Sequence, residues 1–213
     1  MKCDKNMMLV YAVTDRAWVV EMTLYQQVQA ALENGATCVQ LREKELDDEA
    51  FLQEAKQLAA LCKQYQVPFI VNDNVDIAIA CGADGVHVGQ DDMDVSQVRQ
   101  KVGDEMIIGV SAHTVEEALT AVKGGADYLG LGAVFSTSTK TDVNTMPYDT
   151  LKAICAAVDV PTVAIGGISK NNLMQLAQSG VDGIAVVSAI FGAQDPGAAT
   201  AELVQLTKEM LRR

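Results

Sequence analysis

Eight short runs rich in β-branched residues alternate with longer stretches of helical spacing, and that alternation leaves the chain very few folds. The pattern predicts strands over Met8–Val13, Cys38–Arg42, Phe69–Asn72, Gly85–Val88, Ile107–Val110, Tyr128–Leu131, Thr162–Ile165 and Ile184–Val187. Helical spacing follows each run. Phe51, Leu52, Ala55, Leu58, Ala59 and Cys62, for example, recur at the intervals that gather on one helix face. Strand–helix units repeated in this way within 213 residues predict an α/β protein, a single (β/α)8 TIM barrel over residues 1–213. A doubly wound parallel sheet is the competing arrangement.

A recurring glycine phrase favours the barrel. Gly35-Ala36-Thr37, Gly82-Ala83-Asp84, Gly125-Ala126-Asp127 and Gly180-Val181-Asp182 stand before every second strand. Each glycine is expected just past a helix end, in the left-handed conformation. Reuse of the same cap chemistry at unrelated turns would give the same phrase.

Composition narrows the function. Hydrophobic residues make up 49% of the chain, which excludes general disorder. The apolar runs, such as 7–13 and 183–187, are far too short to span a membrane. No long apolar region follows Met1-Lys2-Cys3-Asp4-Lys5, so a cytoplasmic protein without a secretory signal is expected. Five scattered cysteines and two histidines, with no Cys-x-x-Cys, argue against zinc and for reduced thiols. A net charge of −12 argues against nucleic-acid binding. It leaves room for an anionic small molecule, because a local site can oppose the global charge. A homo-oligomer is compatible with all of this.

Several segments carry candidate chemistry. In Val39-Gln40-Leu41-Arg42-Glu43-Lys44, strand alternation places Gln40, Arg42 and Lys44 on one side. Two cations and an amide at a strand end suit a phosphate or pyrophosphate; a salt-bridge layer with Glu43 and Glu45 is the alternative. Val71-Asn72-Asp73 and Gly89-Gln90-Asp91-Asp92 end the third and fourth strands. Barrel neighbours of this kind bring Asp73 close to Asp91 or Asp92, and two carboxylates beside phosphate oxygens suit Mg²⁺. Alone, Asp73 reads as a turn residue or a helix N-cap. The loop Phe135-Ser136-Thr137-Ser138-Thr139-Lys140-Thr141 offers hydroxyls and a cation, or is simply a solvated polar loop. Gly166-Gly167 and Ser188 end strands seven and eight, where such barrels often hold phosphate on backbone N–H groups. Ser111 and His113 follow strand five as an anion contact and an acid/base, or as part of the next helix start, with Thr114 the expected N-cap. His87 reads as a hydrogen-bonded strand histidine.

Together these phrases, with Tyr11-Ala12-Val13-Thr14-Asp15-Arg16 and Gly85-Val86-His87-Val88, resemble the thiamine phosphate synthase family, in family order across nearly the whole chain. The resemblance implies a barrel that joins 4-amino-2-methyl-5-hydroxymethylpyrimidine diphosphate to hydroxyethylthiazole phosphate, releasing pyrophosphate, with Mg²⁺ as cofactor. It implies that Gln40, Leu41, Arg42, Glu43, Lys44, Asn72, Ser111 and Lys140 hold the pyrimidine diphosphate. Thr137, Ser138, Thr139, Gly167, Val187 and Ser188 would hold the thiazole phosphate, and Asp73 and Asp92 the metal. Arg42, Lys44, Lys140 and Ser111 would be catalytic. The alternatives are a thiazole tautomerase, with acid/base work at His113, and a barrel that binds a phosphorylated ligand without turnover.

Overall fold

The computed structural model describes residues 3–136 and 145–213. Eight parallel strands close into a barrel in chain order: β1 (Val10–Val13), β2 (Cys38–Leu41), β3 (Phe69–Asn72), β4 (Gly85–Val88), β5 (Ile107–Ala112), β6 (Tyr128–Gly132), β7 (Thr162–Ile165) and β8 (Gly183–Val186). Closure of β8 onto β1, with Tyr11 opposite Ala185, excludes the doubly wound sheet. The helices are α1 (Leu24–Glu33), α2 (Asp48–Gln64), α3 (Val75–Cys81), α4 (Val95–Val102), α5 (Val115–Lys123), α6 (Tyr148–Ala157), α7 (Ser188–Phe191) and α8 (Pro196–Leu211).

Strand alternation sorts the apolar residues into two layers. Val10, Ala12, Val39 and Leu41 pack outward against helix residues such as Val28, Phe51 and Leu58. Tyr11, Val13, Cys38, Ile70, Ile107 and Tyr128 point inward and fill the barrel. A 3-10 turn over Lys5–Met8, capped by the Asp4 carboxylate, adds Met7 and Met8 to that inner layer. A Cβ at residue 183 would lie 1.8 Å from the Met8 carbonyl oxygen, so glycine there lets the N-terminal segment cross close beneath the barrel.

The four repeated glycines all have left-handed φ, +96° at Gly35, +69° at Gly82, +103° at Gly125 and +94° at Gly180, as their sequence positions predict. Thr114 caps α5 by accepting the Glu117 N–H at 3.1 Å. The Glu117 carboxylate does not close a capping box on Thr114; it accepts from the His113 N–H at 2.7 Å.

One expected helix is absent. Strand β7 is followed by a single 3-10 turn, Leu173–Leu176. Asn172 ties the segment back to its start, donating to the Gly167 carbonyl and accepting from the Ser169 N–H. Gln178 then takes a left-handed φ of +62°, which leaves room for only one turn. Val187, expected in the last strand, instead stands at the N-cap of α7, its carbonyl accepting from Ile190 and Phe191. Among the described residues no helix is long and apolar enough to cross a membrane. The five cysteines are unpaired thiols, and burial pushes Cys62 up to about 12, as suits a packing role.

Candidate active site

The C-terminal ends of the strands surround a cavity of about 330 Å³. Its wall gathers Gln40, Arg42, Lys44, Asn72, Asp73, Asp92 and Ser111 on one side and Gly167, Val187 and Ser188 on the other. These are the residues the sequence singled out, apart from two groups. Thr137, Ser138, Thr139 and Lys140 lie outside the described residues. The side chains of Leu41 and Glu43 do not line the cavity. Leu41, one residue out of phase with Gln40 and Arg42, is fully buried in the outer layer against the helices.

Glu43 does different work. Its carboxylate accepts from the backbone N–H groups of Lys44, Glu45 and Leu46 at 2.8, 2.7 and 3.1 Å. Arg16 donates to its other oxygen at 2.8 Å. Burial opposes the charge, but Arg16 and the Glu45 and Leu46 N–H groups outweigh it and hold the carboxyl below the usual range. Glu43 therefore shapes the loop that presents Lys44. The adjacent loop supports Arg42 in the same way. Asp15 holds the guanidinium at 2.6 Å, and the Arg42 N–H donates to the Thr14 hydroxyl at 3.0 Å.

Asp73 is set by its backbone. Its N–H donates to the His87 carbonyl at 2.8 Å, and it takes a left-handed φ of +62°, rare for a residue with a side chain. Capping of α3 falls to Asn74, so the capping alternative for Asp73 does not hold. The strained turn brings its carboxylate to the Lys44 ammonium and beside Asp92. Burial, with Asp92 alongside, raises the Asp73 pKa, while Lys44 pulls the other way. Asp92 is fixed in turn by accepting from the Gly89 N–H at 2.7 Å. Among the described residues no cluster of three or more His, Cys, Asp or Glu is built to hold a metal alone. A pair of crowded carboxylates fits Mg²⁺, which is usually completed by water and substrate phosphate.

At the opposite wall, Gly166 and Gly167 have φ of +100° and +65°. A Cβ on either would strike the chain after β6, 2.4 Å from Ala133 Cβ and 2.2 Å from the Ser136 carbonyl oxygen. The glycines are needed for that close crossing. His113 lines the cavity and is paired with Glu117 at 3.0 Å. Sequence reasoning gave no role to Asp15, Arg16, Tyr11, Tyr128 or Gln90. Gln90 lines the cavity and donates to the Ser111 carbonyl at 2.6 Å.

A closed parallel barrel with cations, paired carboxylates and glycine turns at its strand C-termini defines a phosphate-handling TIM-barrel enzyme. The thiamine monophosphate synthase family model matches residues 10–190. The chain is 46% identical over 185 residues to the thiamine-phosphate synthase of Clostridium acetobutylicum, covering 87% of this chain and 88% of that one. It is 47% identical over 191 residues to the enzyme of that name from Clostridioides difficile, covering 90% and 91%. The solved thiamine phosphate pyrophosphorylase from Pyrococcus furiosus superposes with a TM-score of 0.90 at 41% identity, over 97% of this chain and 98% of that one. The chain belongs to the thiamine monophosphate synthase family and is a transferase.

Proposed function

We propose that this enzyme condenses 4-amino-2-methyl-5-hydroxymethylpyrimidine diphosphate with hydroxyethylthiazole phosphate, giving thiamine phosphate and pyrophosphate. The observation that carries the site assignment is the meeting of Arg42 and Lys44 with Asp73, Asp92 and Ser111 at one cavity wall. The bond between the pyrimidinylmethyl carbon and the diphosphate breaks, and its electron pair leaves with the diphosphate. The amino group of the pyrimidine stabilises the resulting cation. The thiazole nitrogen then supplies the lone pair for the new C–N bond.

The protein's main task is to neutralise the leaving group. Arg42 contributes a planar fork, Lys44 and Lys140 compact charges, and Ser111 a hydroxyl donor. Gln40 and Asn72 orient the first substrate. Gly167, Val187, Ser188 and the hydroxyls of Thr137, Ser138 and Thr139 hold the thiazole phosphate. Holding the two rings together supplies much of the remaining acceleration, as effective molarity. No strong base is required, because the nucleophilic nitrogen carries no proton. Asp73 and Asp92 would hold Mg²⁺, which supplies positive charge to the diphosphate oxygens when bound.

Purified protein given both heterocycles and Mg²⁺ should release pyrophosphate, and omission of either substrate or addition of EDTA should stop it. Folded protein that releases none under these conditions would refute the reading. Replacing Asp73 by Asn should raise the Mg²⁺ concentration for half-maximal rate by roughly tenfold or more. An unchanged Mg²⁺ titration removes Asp73 from the metal site.

A further inference from the structure

A hydrogen-bonded chain crosses the barrel interior along the cavity wall. Gln40 on β2 donates an amide N–H to the Tyr11 hydroxyl on β1 at 2.8 Å. The Tyr11 and Tyr128 hydroxyls meet at 2.7 Å. Tyr128, on β6, lies 2.9 Å from His87 Nδ1 on β4, and His87 Nε2 lies 2.9 Å from the Ser111 hydroxyl on β5. Five strands thus contribute to one chain, and all five residues line the cavity.

An amide nitrogen only donates, so Tyr11 accepts from Gln40. With the Tyr11 proton directed at Tyr128, the remaining roles follow in order. Tyr128 then donates to His87 Nδ1. A neutral imidazole that accepts at Nδ1 carries its proton on Nε2, and so donates to Ser111 Oγ. The serine proton is left to point away from His87. Burial pushes both phenols well above their ordinary range, so each keeps the proton this order requires. The sheet makes room for the chain. Gly109 stands between His87 and Tyr128 in the strand register, and a Cβ there would lie 2.1 Å from Tyr128 Cζ and 2.5 Å from His87 Nδ1.

We propose that His87 is a positioning residue: with Tyr128, Tyr11 and Gln40 it holds the Ser111 hydroxyl as a donor directed at a diphosphate ligand in the cavity. The inference rests on the reading above, in which Ser111 touches the pyrimidine diphosphate. A donor aimed in advance needs no reorganisation as negative charge builds on the leaving group.

Nitrogen-15 NMR of the ligand-free protein tests the direction of the chain. His87 should be neutral with its proton on Nε2, and Tyr128→Phe should erode that preference. A proton on Nδ1, or a tautomer indifferent to Tyr128→Phe, overturns the proposal. Steady-state rates test its use. His87→Gln places an amide N–H near the former Nε2 and should keep kcat within about threefold, whereas His87→Asn is too short and should lower kcat roughly tenfold with KM little changed. Added to Ser111→Ala, His87→Asn should cost almost nothing more, because it acts through the serine. Independent, multiplying losses overturn the proposal. A normal kcat for Ser111→Ala overturns the substrate contact itself and this inference with it. The tautomer measurement is made without ligand, so the two failures are distinguishable.

Discussion

An Arg42→Ala protein should turn over roughly 10²- to 10³-fold more slowly than its parent while melting within about 4 °C of it. The chain carries a net charge of −12, so a polyanionic substrate depends on the cations that face the cavity itself. Arg42 is the planar one, held at the end of β2 by Asp15. Its loss removes a two-pronged contact whose strength grows as the diphosphate takes up charge. The structural cost is small, because that ion pair is partly exposed and such pairs contribute about 1 kcal/mol or less. Arg42→Lys should recover only part of the rate, since it restores charge without the fork. Normal kcat with a large fall in melting temperature would make Arg42 a structural residue.

Gly109→Ala should destabilise the barrel by about 3 kcal/mol or more. The objection is space rather than backbone conformation. The added carbon would meet Tyr128 and His87 well inside contact distance, in the middle of a filled barrel. Gly82→Ala gives the contrast. Nothing lies within 4 Å of a Cβ there, but φ is +69°, so the cost should be about 1 kcal/mol of backbone strain. Denaturant unfolding of the two variants measures both numbers. A Gly109→Ala protein as stable as its parent would mean that the inner layer is not packed as described.

The barrel was legible because its strands, buried on both faces, are short continuous apolar runs rich in β-branched residues, each followed by helical spacing. Phe69–Asn72, Gly85–Val88 and Thr162–Ile165 were read to the residue. The end of β5 was not, because Ser111 and Ala112 look like loop and pair with Gly130 and Leu131 only once the barrel closes. The missing helix after β7 was hidden for another reason. Leu173 and Leu176 keep helical spacing, while the bonds of the Asn172 side chain to its own loop and the turn at Gln178 cut the segment short. At the site, Gln40, Arg42 and Lys44 followed from alternation alone. Leu41 and Glu43 came only with the family resemblance. That Glu43 would serve its own loop, and that Asp15 and Arg16 would support β2, depends on contacts between loops that no local pattern encodes.

That loop pairing limits how such a chain can diverge or be recombined. Asp15 and Arg16 reach, in order, Arg42 and Glu43, so an acid–base step on one connection answers a base–acid step on the next. Neither connection is an independent cassette. A graft that imports residues 42–46 from a relative must import 14–16 with them, or it sets unmatched charges against each other beside the cavity. Exchange of both segments together keeps the match, and the natural unit of transfer on this face is therefore the pair of loops.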